Sequence, residues 1–571
     1  MARPCLRADA RRPRTKSDRC PWLRTPVRNY GHVCAERGAP RIIRHALEAR
    51  RSSRAAHRGA RRRNGRLRPG AATRRALQHR RARIERGRDG ARRARARGSR
   101  RLNLQLAWIL AYSALLIGLG AFISRRVRKS DDFLVAGRKL GPGLVFATFL
   151  AANIGAGSTV GAAGLGYSLG WSAWWWVGSA GIGCVVLGNT VGPRIWYWAR
   201  AEGFHTLGDY LEYRYSRSVR GAVALILWPG TVALLAAQLV AISVILHTVA
   251  GILRWQGSLL GGLVVVAYFA AGGLLSSAWI NLLELVILLA GFVLALPFAL
   301  DAAGGWSAVV RSIDARPHAS ASGFFSPVGF GAAGALYHLA LLAPSFIVSP
   351  GLVQKIYGAR SAAAARVGVN WNALGLLLFA ALPPCLGIVA AARFPGLPDA
   401  QLALPKVILE LLPAWLGTLV LAAVFSAEIS TCDAVLFMLS TSLTIDLYRT
   451  FVNPRAGERE LLRASRLSAV AGGACGTAVA LGAPTIIGAL TVFYALVSVA
   501  LFVPVVAGLY SRLPDARAAL TAIAVSVPLT LALQLGWGER VIGILSPTIL
   551  GIAASFAVLW GVTAARRRRE E

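Results

Sequence analysis

From residue 104 onward the chain alternates long apolar runs with short polar breaks. The runs have the length of about 20 residues that a helix needs to cross ~30 Å of hydrocarbon. They fall near 104–124, 143–169, 171–195, 220–250, 256–275, 278–300, 329–352, 367–391, 414–447, 464–482, 485–510, 517–535 and 543–564, which predicts about thirteen transmembrane helices. The breaks differ in charge. Those after the first, third, seventh, ninth and eleventh runs are rich in Arg and Lys ("SRRVRKSDDFLVAGRKLG", "YRTFVNPRAGERELLRASR"), and the chain ends "AARRRREE". Breaks of the other parity, such as "YSLG" and "GAPT", are poor in them. Because short loops rich in Lys and Arg stay in the cytoplasm, the N-terminus is expected outside and the C-terminus in the cytoplasm.

One run breaks the apolar pattern from within. "LVLAAVFSAEISTCDAVLFMLSTSLTI", residues 419–445, holds Ser426, Glu428, Ser430, Thr431 and Asp433 between greasy ends. An acidic side chain at that depth costs several kcal/mol and marks function by default. On a helix Ala427, Ser430, Thr431 and Ala434 share a stripe, with Ser426 and Asp433 on its flank. The hydroxyls can bond back to carbonyls of their own helix, or they can serve a cation.

The second run, "FATFLAANIGAGSTVGAAGLGYSLG", is rich in small residues around Asn153. Small residues let membrane helices pack closely. The same run also reads as a discontinuous helix that unwinds near "NIGAG", freeing carbonyls to bind a cation; irregular backbone in a membrane is tolerated where it lines a site. A hard monovalent cation takes about five oxygens, more than either helix offers alone.

Composition agrees with a membrane protein. Of 571 residues 55% are hydrophobic and 16% charged, against about a quarter charged in soluble domains. The net charge of +40 is concentrated at one end: residues 1–101 hold 34 Lys and Arg against 6 Asp and Glu. That tail has almost no apolar periodicity and is expected to be disordered, or to lie upstream of a true start near residue 102. An arm for nucleic acid is the alternative reading of its charge. The seven cysteines form no CxxC pair and show no metal-ligand spacing.

Several stretches together carry a family resemblance. "DDFLVAGRKLGPGLVFATFLAANIGAGSTVGAAGLGYSLG", "AWINLLELVILLAG", "GLVQKIYGARSAAAAR" and "FSAEISTCDAVLFMLSTSLTIDLYR" resemble successive landmarks of the sodium-solute symporter family. The resemblance covers residues 104–510 well and the last two runs loosely. It implies an all-α polytopic membrane protein with a LeuT-type core of five plus five inverted helices. The division is then a tail (1–101), a first helix and loop (102–142), two repeats (143–300 and 301–512) and a C-terminal pair of helices (513–571).

The resemblance also implies Na+ as coupling ion, held by the carbonyls of Ala151, Ile154 and Ala427 and the hydroxyls of Ser430 and Thr431. Many members have an aspartate where this chain has Asn281 and a glutamine where it has Glu284. A second cation or proton site would therefore draw on Asp433, Asn281 and Glu428. The expected solute pocket lies near Asn153, Gly157, Ser158, Trp174, Trp175, Tyr337 and His338. A ring of "WSAWWW" facing that pocket would attract an ammonium group; the same tryptophans also suit the membrane interface, and His338 also suits plain packing. Ser158 and Val177 stand where sugar-transporting members carry glutamine and glutamate, which disfavours a sugar.

The expected function is sodium-coupled symport of an amino acid, carboxylate or quaternary amine. Proton coupling through Glu428 or Asp433 is the alternative, and a membrane solute sensor or a membrane-anchored nucleic-acid binder the alternatives of another class. No nucleophile, base and orienting group recur near one another, so no enzyme is expected. The expected partners are the small solute and the bilayer, without nucleic acid. High Ala, Arg and Gly content suggests a GC-rich bacterial genome, hence the inner membrane.

Overall fold

The computed structural model describes residues 135–571 apart from 272–273, 316–320, 484 and 538–544, together with Ala111, Ala114, Leu115 and Gly118. The Arg-rich tail and nearly all of the first expected span lie outside the described residues. The remaining twelve apolar runs each coincide with helix. Among the described residues, eight helices are long and apolar enough to cross a membrane, and a ninth counts if Pro142–Asn153 and Gly157–Glu202, bent by 64°, form one span. The count of thirteen is thus supported in part.

The second run is broken as its glycines suggested. Helix α1 (Pro142–Asn153) stops at Ile154, whose backbone is extended (φ −101°, ψ 98°). The chain resumes in a wide turn over Gly157–Gly161 and then α2 (Ala162–Leu169). Gly170 ends α2 at φ +64°, a conformation that favours glycine. The third run gives α3 (Trp174–Val186) and α4 (Gly192–Glu202). A short α5 (Leu207–Arg214) leads into α6 (Arg217–Ala250), 34 residues long. At 1.5 Å per residue that is roughly 50 Å, more than the bilayer core. Then come α7 (Arg254–Ala271), α8 (Leu274–Ala302) and α9 (Trp306–Asp314).

The seventh run is also interrupted. Helix α10 (Ala332–Val348) and α11 (Pro350–Tyr357) are separated by Ser349, whose ψ of 123° is not helical. The signal was the tripeptide Ser349-Pro350-Gly351, a turn signature inside an apolar run. The eighth run folds as α12 (Ala362–Phe379) and α13 (Leu382–Arg393) around Pro383 and Pro384, and α14 (Ala403–Glu410) follows. Helix α15 (Ala414–Thr441) carries the polar centre of residues 419–445 and continues as a wide-turn helix over Ser442–Val452. The last four are α16 (Glu458–Gly482), α17 (Ile486–Tyr510), α18 (Ala516–Trp537) and α19 (Pro547–Glu570).

Helix α15 packs against α8, α6, α16 and α1, so its polar residues face protein. Ser426, Glu428, Ser430, Thr431 and Asp433 are all buried. At its far end the chain solves a charge problem. Arg220, 6% exposed, meets Asp209 Oδ1 at 2.8 Å, Glu212 Oε2 at 2.8 Å and Asp446 Oδ1 at 2.9 Å. A buried guanidinium is tolerable only with such partners. Thr206 adds a bond to Asp446 at 2.6 Å and caps α5 reciprocally with Asp209. The cluster joins α5 and α6 to the segment after α15.

The loop before α14 positions α17. Asp399 accepts from Arg254 Nη2 at 2.7 Å and from the Gln401 backbone at 2.9 Å, and Gln401 Oε1 receives the Ile486 N–H at the start of α17 at 3.0 Å. Burial pushes the Asp399 carboxyl up, but the bonds from Arg254 and Gln401 outweigh it and hold the group below the ordinary carboxylate value. Its stabilising contribution is therefore complete above about pH 4 and lost as pH falls through the lower folded-state value. The thermal midpoint of the purified protein should fall more steeply below pH 4 in the wild type than in Asp399→Asn.

Helices α2 and α13 approach backbone to backbone. A Cβ on Gly387 would overlap the Ala163 carbonyl, and one on Gly166 would overlap Pro384. Gly387→Val should cost about 1–3 kcal/mol of overpacking, read as a lower thermal midpoint in detergent, while Gly482→Ala, with open space around it, should leave the midpoint unchanged.

Candidate functional site

The break after α1 leaves backbone groups that an unbroken helix would pair. The Gly155 N–H would bond to Ala151, but it donates to Ser158 Oγ at 2.9 Å. The Ala156 N–H would bond to Ala152, but it donates to Gln238 Oε1 at 2.7 Å, from the middle of α6. Side chains therefore absorb the donors, and the carbonyls of Ala151 and Ile154 turn to α15. Thr431 Oγ1 bonds to the Ile154 carbonyl at 3.2 Å and to the Ala151 carbonyl at 3.3 Å. Ser430 Oγ reaches the Ala151 carbonyl at 3.1 Å and the Ala427 carbonyl at 3.1 Å. The five oxygens named from the family pattern thus meet in one cluster.

Close approach makes the cluster. A Cβ on Gly155 would lie 2.5 Å from both Thr431 Oγ1 and Gln238 Oε1. Any larger residue would push α1 and α15 apart. The oxygens are neutral, three carbonyls and two hydroxyls, and the nearest acid in sequence, Glu428, is engaged elsewhere: its Oε1 accepts from Thr159 Oγ1 at 2.8 Å. Glu428 Oε2 is buried without a hydrogen-bond partner. Such an arrangement suits a small hard cation, which hard oxygen ligands can hold without a trapping net charge.

A cavity adjoins the cluster, and Thr431 and Gly155 belong to its wall. Asn153, Gly157 and Ser158 line it. Asn153 is steadied by its Nδ2–H bond to Asn372 Oδ1 at 3.1 Å. Trp174, Trp175, Tyr337 and His338 do not line it. Of the three consecutive tryptophans it is Trp176 that does, together with Phe346, Phe493 and Tyr494. Trp175 donates its indole N–H to the Pro327 carbonyl at an exposed site, and Trp174 packs across Gly178. His338 sits edge-on to Trp176 at 5.8 Å with Nδ1 at 2.9 Å from the Gly334 carbonyl. Tyr337 in turn meets the His338 ring at 5.2 Å.

The buried acids Asp433 of α15 and Glu284 of α8 lie near one another. Asn281 and Glu284 are buried one turn apart on α8, and Glu284 bonds to Ser426 within electrostatic reach of Asp433. Lys355 of α11 also lines the cavity. Neither Lys355 nor Gln238 was singled out in the sequence. A polar residue in the middle of an apolar span was the available signal for both.

A second cavity reaches from the central one to the Arg220 cluster, lined among others by Met438, Gln354, Thr441 and Asp446. Met438 belongs to both walls, and Gln354 Nε2 donates to Thr441 Oγ1 at 3.0 Å beside it.

Comparison with known proteins agrees with this geometry. The family model described as "Sodium:solute symporter family" matches residues 133–525. The sodium/glucose cotransporter of Vibrio parahaemolyticus is 25% identical over 407 residues, 63% of this chain and 71% of that protein. The sodium/iodide cotransporter of Homo sapiens is 24% identical over 66% of this chain and 61% of its own. High-affinity choline transporter 1 of Drosophila melanogaster is 23% identical over 77% of this chain and 72% of its own. The matched stretch thus spans 61% to 72% of these relatives' length. Among solved structures, a substrate-bound, outward-open Na+-coupled sialic acid symporter shares the fold at a TM-score of 0.68 and 17% identity, covering 81% of this chain and 97% of that one. With two thirds of its length matched by the family model and its helices arranged in the LeuT-type fold, the chain belongs to the sodium:solute symporter family, membrane transporters rather than enzymes, with Na+ as coupling ion.

Proposed function

We propose that the protein imports a small organic solute together with sodium by alternating access, in a bacterial inner membrane, with its N-terminus outside and its C-terminus in the cytoplasm. Sodium binds at Ala151, Ile154, Ala427, Ser430 and Thr431, and the solute in the adjoining cavity. One observation carries this reading: Thr431, one of the five ion ligands, also lines the cavity, where Gly155 packs closely against it. Sodium draws α1 and α15 together and so shapes the wall that the solute touches. A solute on that wall favours the same closed pair of helices, and each ligand therefore raises the affinity of the other.

The cavity wall favours a compact solute with an apolar body. Trp176, Phe346, Phe493 and Tyr494 offer ring faces and edges, and Asn153, Ser158, Gln238 and Ser349 a few polar contacts. An ammonium group would be held there by cation–π attraction. Amino acids and quaternary amines suit this wall, as do small carboxylates through Lys355. Relatives that carry choline, iodide or glucose show how widely the family's solutes range, so sugars belong in any test. Release toward the cytoplasm would pass Met438 and the Gln354–Thr441 bond and then the Arg220 cluster.

A thermal-shift screen of the detergent-purified protein against amino acids, carboxylates, amines and sugars, in sodium and again in potassium, tests the coupling. The true solute should raise the midpoint in sodium only, since a ligand of the native state stabilises by mass action. Stabilisation that ignores sodium and follows pH would instead favour proton coupling. At the ion site, Ser430→Ala with Thr431→Ala should abolish the sodium-dependent shift at unchanged expression. Gly155→Ala should weaken the apparent sodium affinity at least tenfold; an unchanged affinity would sink the shared-wall mechanism.

A further inference from the structure

The outward seam between α12 and the stretch that joins α3 to α4 carries polar groups that neither the oxygen cluster nor the cavity uses. In the wide turn Leu187–Val191, the exposed Asn189 donates from Nδ2 to Asn370 Oδ1 and to the Val185 carbonyl, each at 2.8 Å. Its Oδ1 accepts from Asn370 Nδ2 at 3.3 Å and from Arg366 Nε at 3.1 Å. The two helices touch closely behind these amides. A Cβ on Gly188 would lie 3.1 Å from Asn370 Oδ1, and one on Gly181, seven residues earlier, 2.9 Å from Leu377. Paired amides suffice to join two membrane helices. They do not call for an arginine.

Arg366 is exposed, and its Nε bond to Asn189 orients the guanidinium. Among the described residues no carboxylate pairs with it, and its two terminal nitrogens have no hydrogen-bond partner. Those nitrogens form a fork that fits two oxygens of a phosphate group. Asn370, Leu374 and Leu378 follow Arg366 in steps of four along α12, so the four make one ridge. The ridge grades from a cation through an amide to two leucines that are 57% and 67% exposed. On the facing helix Val185, 40% exposed, stands one turn from Asn189 and repeats the change from polar to apolar. A cation at the end of a lipid-facing ridge recruits an anion at headgroup level. A molecule with a phosphate at one end and an acyl chain at the other matches the whole ridge, whereas a free phosphate matches only its head. We propose that Arg366, Asn189 and Asn370 form a headgroup site for an anionic phospholipid whose acyl chain lies along Leu374 and Leu378. The site lies in the leaflet next to the basic break that precedes α12, and it is independent of the sodium and solute sites.

Lipid retention tests it and needs no knowledge of the solute. The full-length, detergent-purified chain is titrated with phosphatidylglycerol, or with phosphatidylcholine of the same acyl chains, and bound lipid is counted by native mass spectrometry. The wild type should retain phosphatidylglycerol at the lower concentration. Arg366→Gln should shrink that preference about fivefold. Arg194→Gln, which removes an exposed arginine of α4 that stacks on Tyr510 instead, should leave it unchanged. Leu374→Ser with Leu378→Ser should weaken retention of both lipids, and excess inorganic phosphate should displace neither. Equal retention of the two lipids by the wild type would overturn the site, as would a preference that survives Arg366→Gln or falls equally in Arg194→Gln. Displacement by inorganic phosphate would overturn a lipid as the occupant. If Arg366→Gln fails to fold, the double leucine variant decides, and unchanged affinity for phosphatidylglycerol would then sink the proposal.

Discussion

The interrupted backbone between α1 and α2 is the constraint from which the rest follows. In lipid, an unpaired N–H or carbonyl costs several kcal/mol, so a helix can stop at Asn153 only if its surroundings complete it. Ser158 and Gln238 take the freed donors. The freed acceptors point at α15, where Ser430 and Thr431 wait with hydroxyls that can donate when no cation is present. These hydroxyls can turn their lone pairs to a cation when one arrives. The same break that makes the segment costly alone makes it a ligand set in context.

Helix α15 then links two places that must act together. Its middle carries the oxygen cluster, and the wide-turn segment that continues it carries Asp446, gripped by Arg220 and Thr206. Any displacement of α15 at the oxygen cluster would pass along one continuous element to a charged cluster that joins α5 and α6. Breaking that cluster would leave a buried guanidinium short of partners, and so its opening has to be compensated by rearrangement or by water. The cluster resists opening for that reason.

Much of this was legible in the residues. Run length predicted where the long helices lie, because a membrane crossing needs about 20 apolar residues, but not the short helices α5, α9 and α14 or the breaks inside the seventh and eighth runs. The glycine cluster around Asn153 and the hydroxyl stripe of α15 were readable because lipid makes polar groups conspicuous. What the sequence hid was mostly long-range. Nothing near Gln238 says that it serves Ala156, and nothing near Arg220 says that Asp446, 226 residues away, is its partner. The tryptophans failed by rotation: each step along a helix turns the side chain by about 100°, so among three neighbours one faces the cavity, and composition cannot say which. The break at Ser349 was marked by its Ser-Pro-Gly turn signal, but a run of apolar length concealed it.

Three of the five clustered oxygens are main-chain carbonyls, of Ala151, Ile154 and Ala427. Replacing those side chains alters packing but not the clustered oxygens, whereas the adjoining cavity is walled largely by side chains. The two recognition tasks are therefore written in different parts of the polymer. On the proposed reading, exchanging Phe346, Tyr494 or Trp176 would admit a new cargo while the energy source stays wired in, so long as Thr431 and the Gly155 packed against it are left alone.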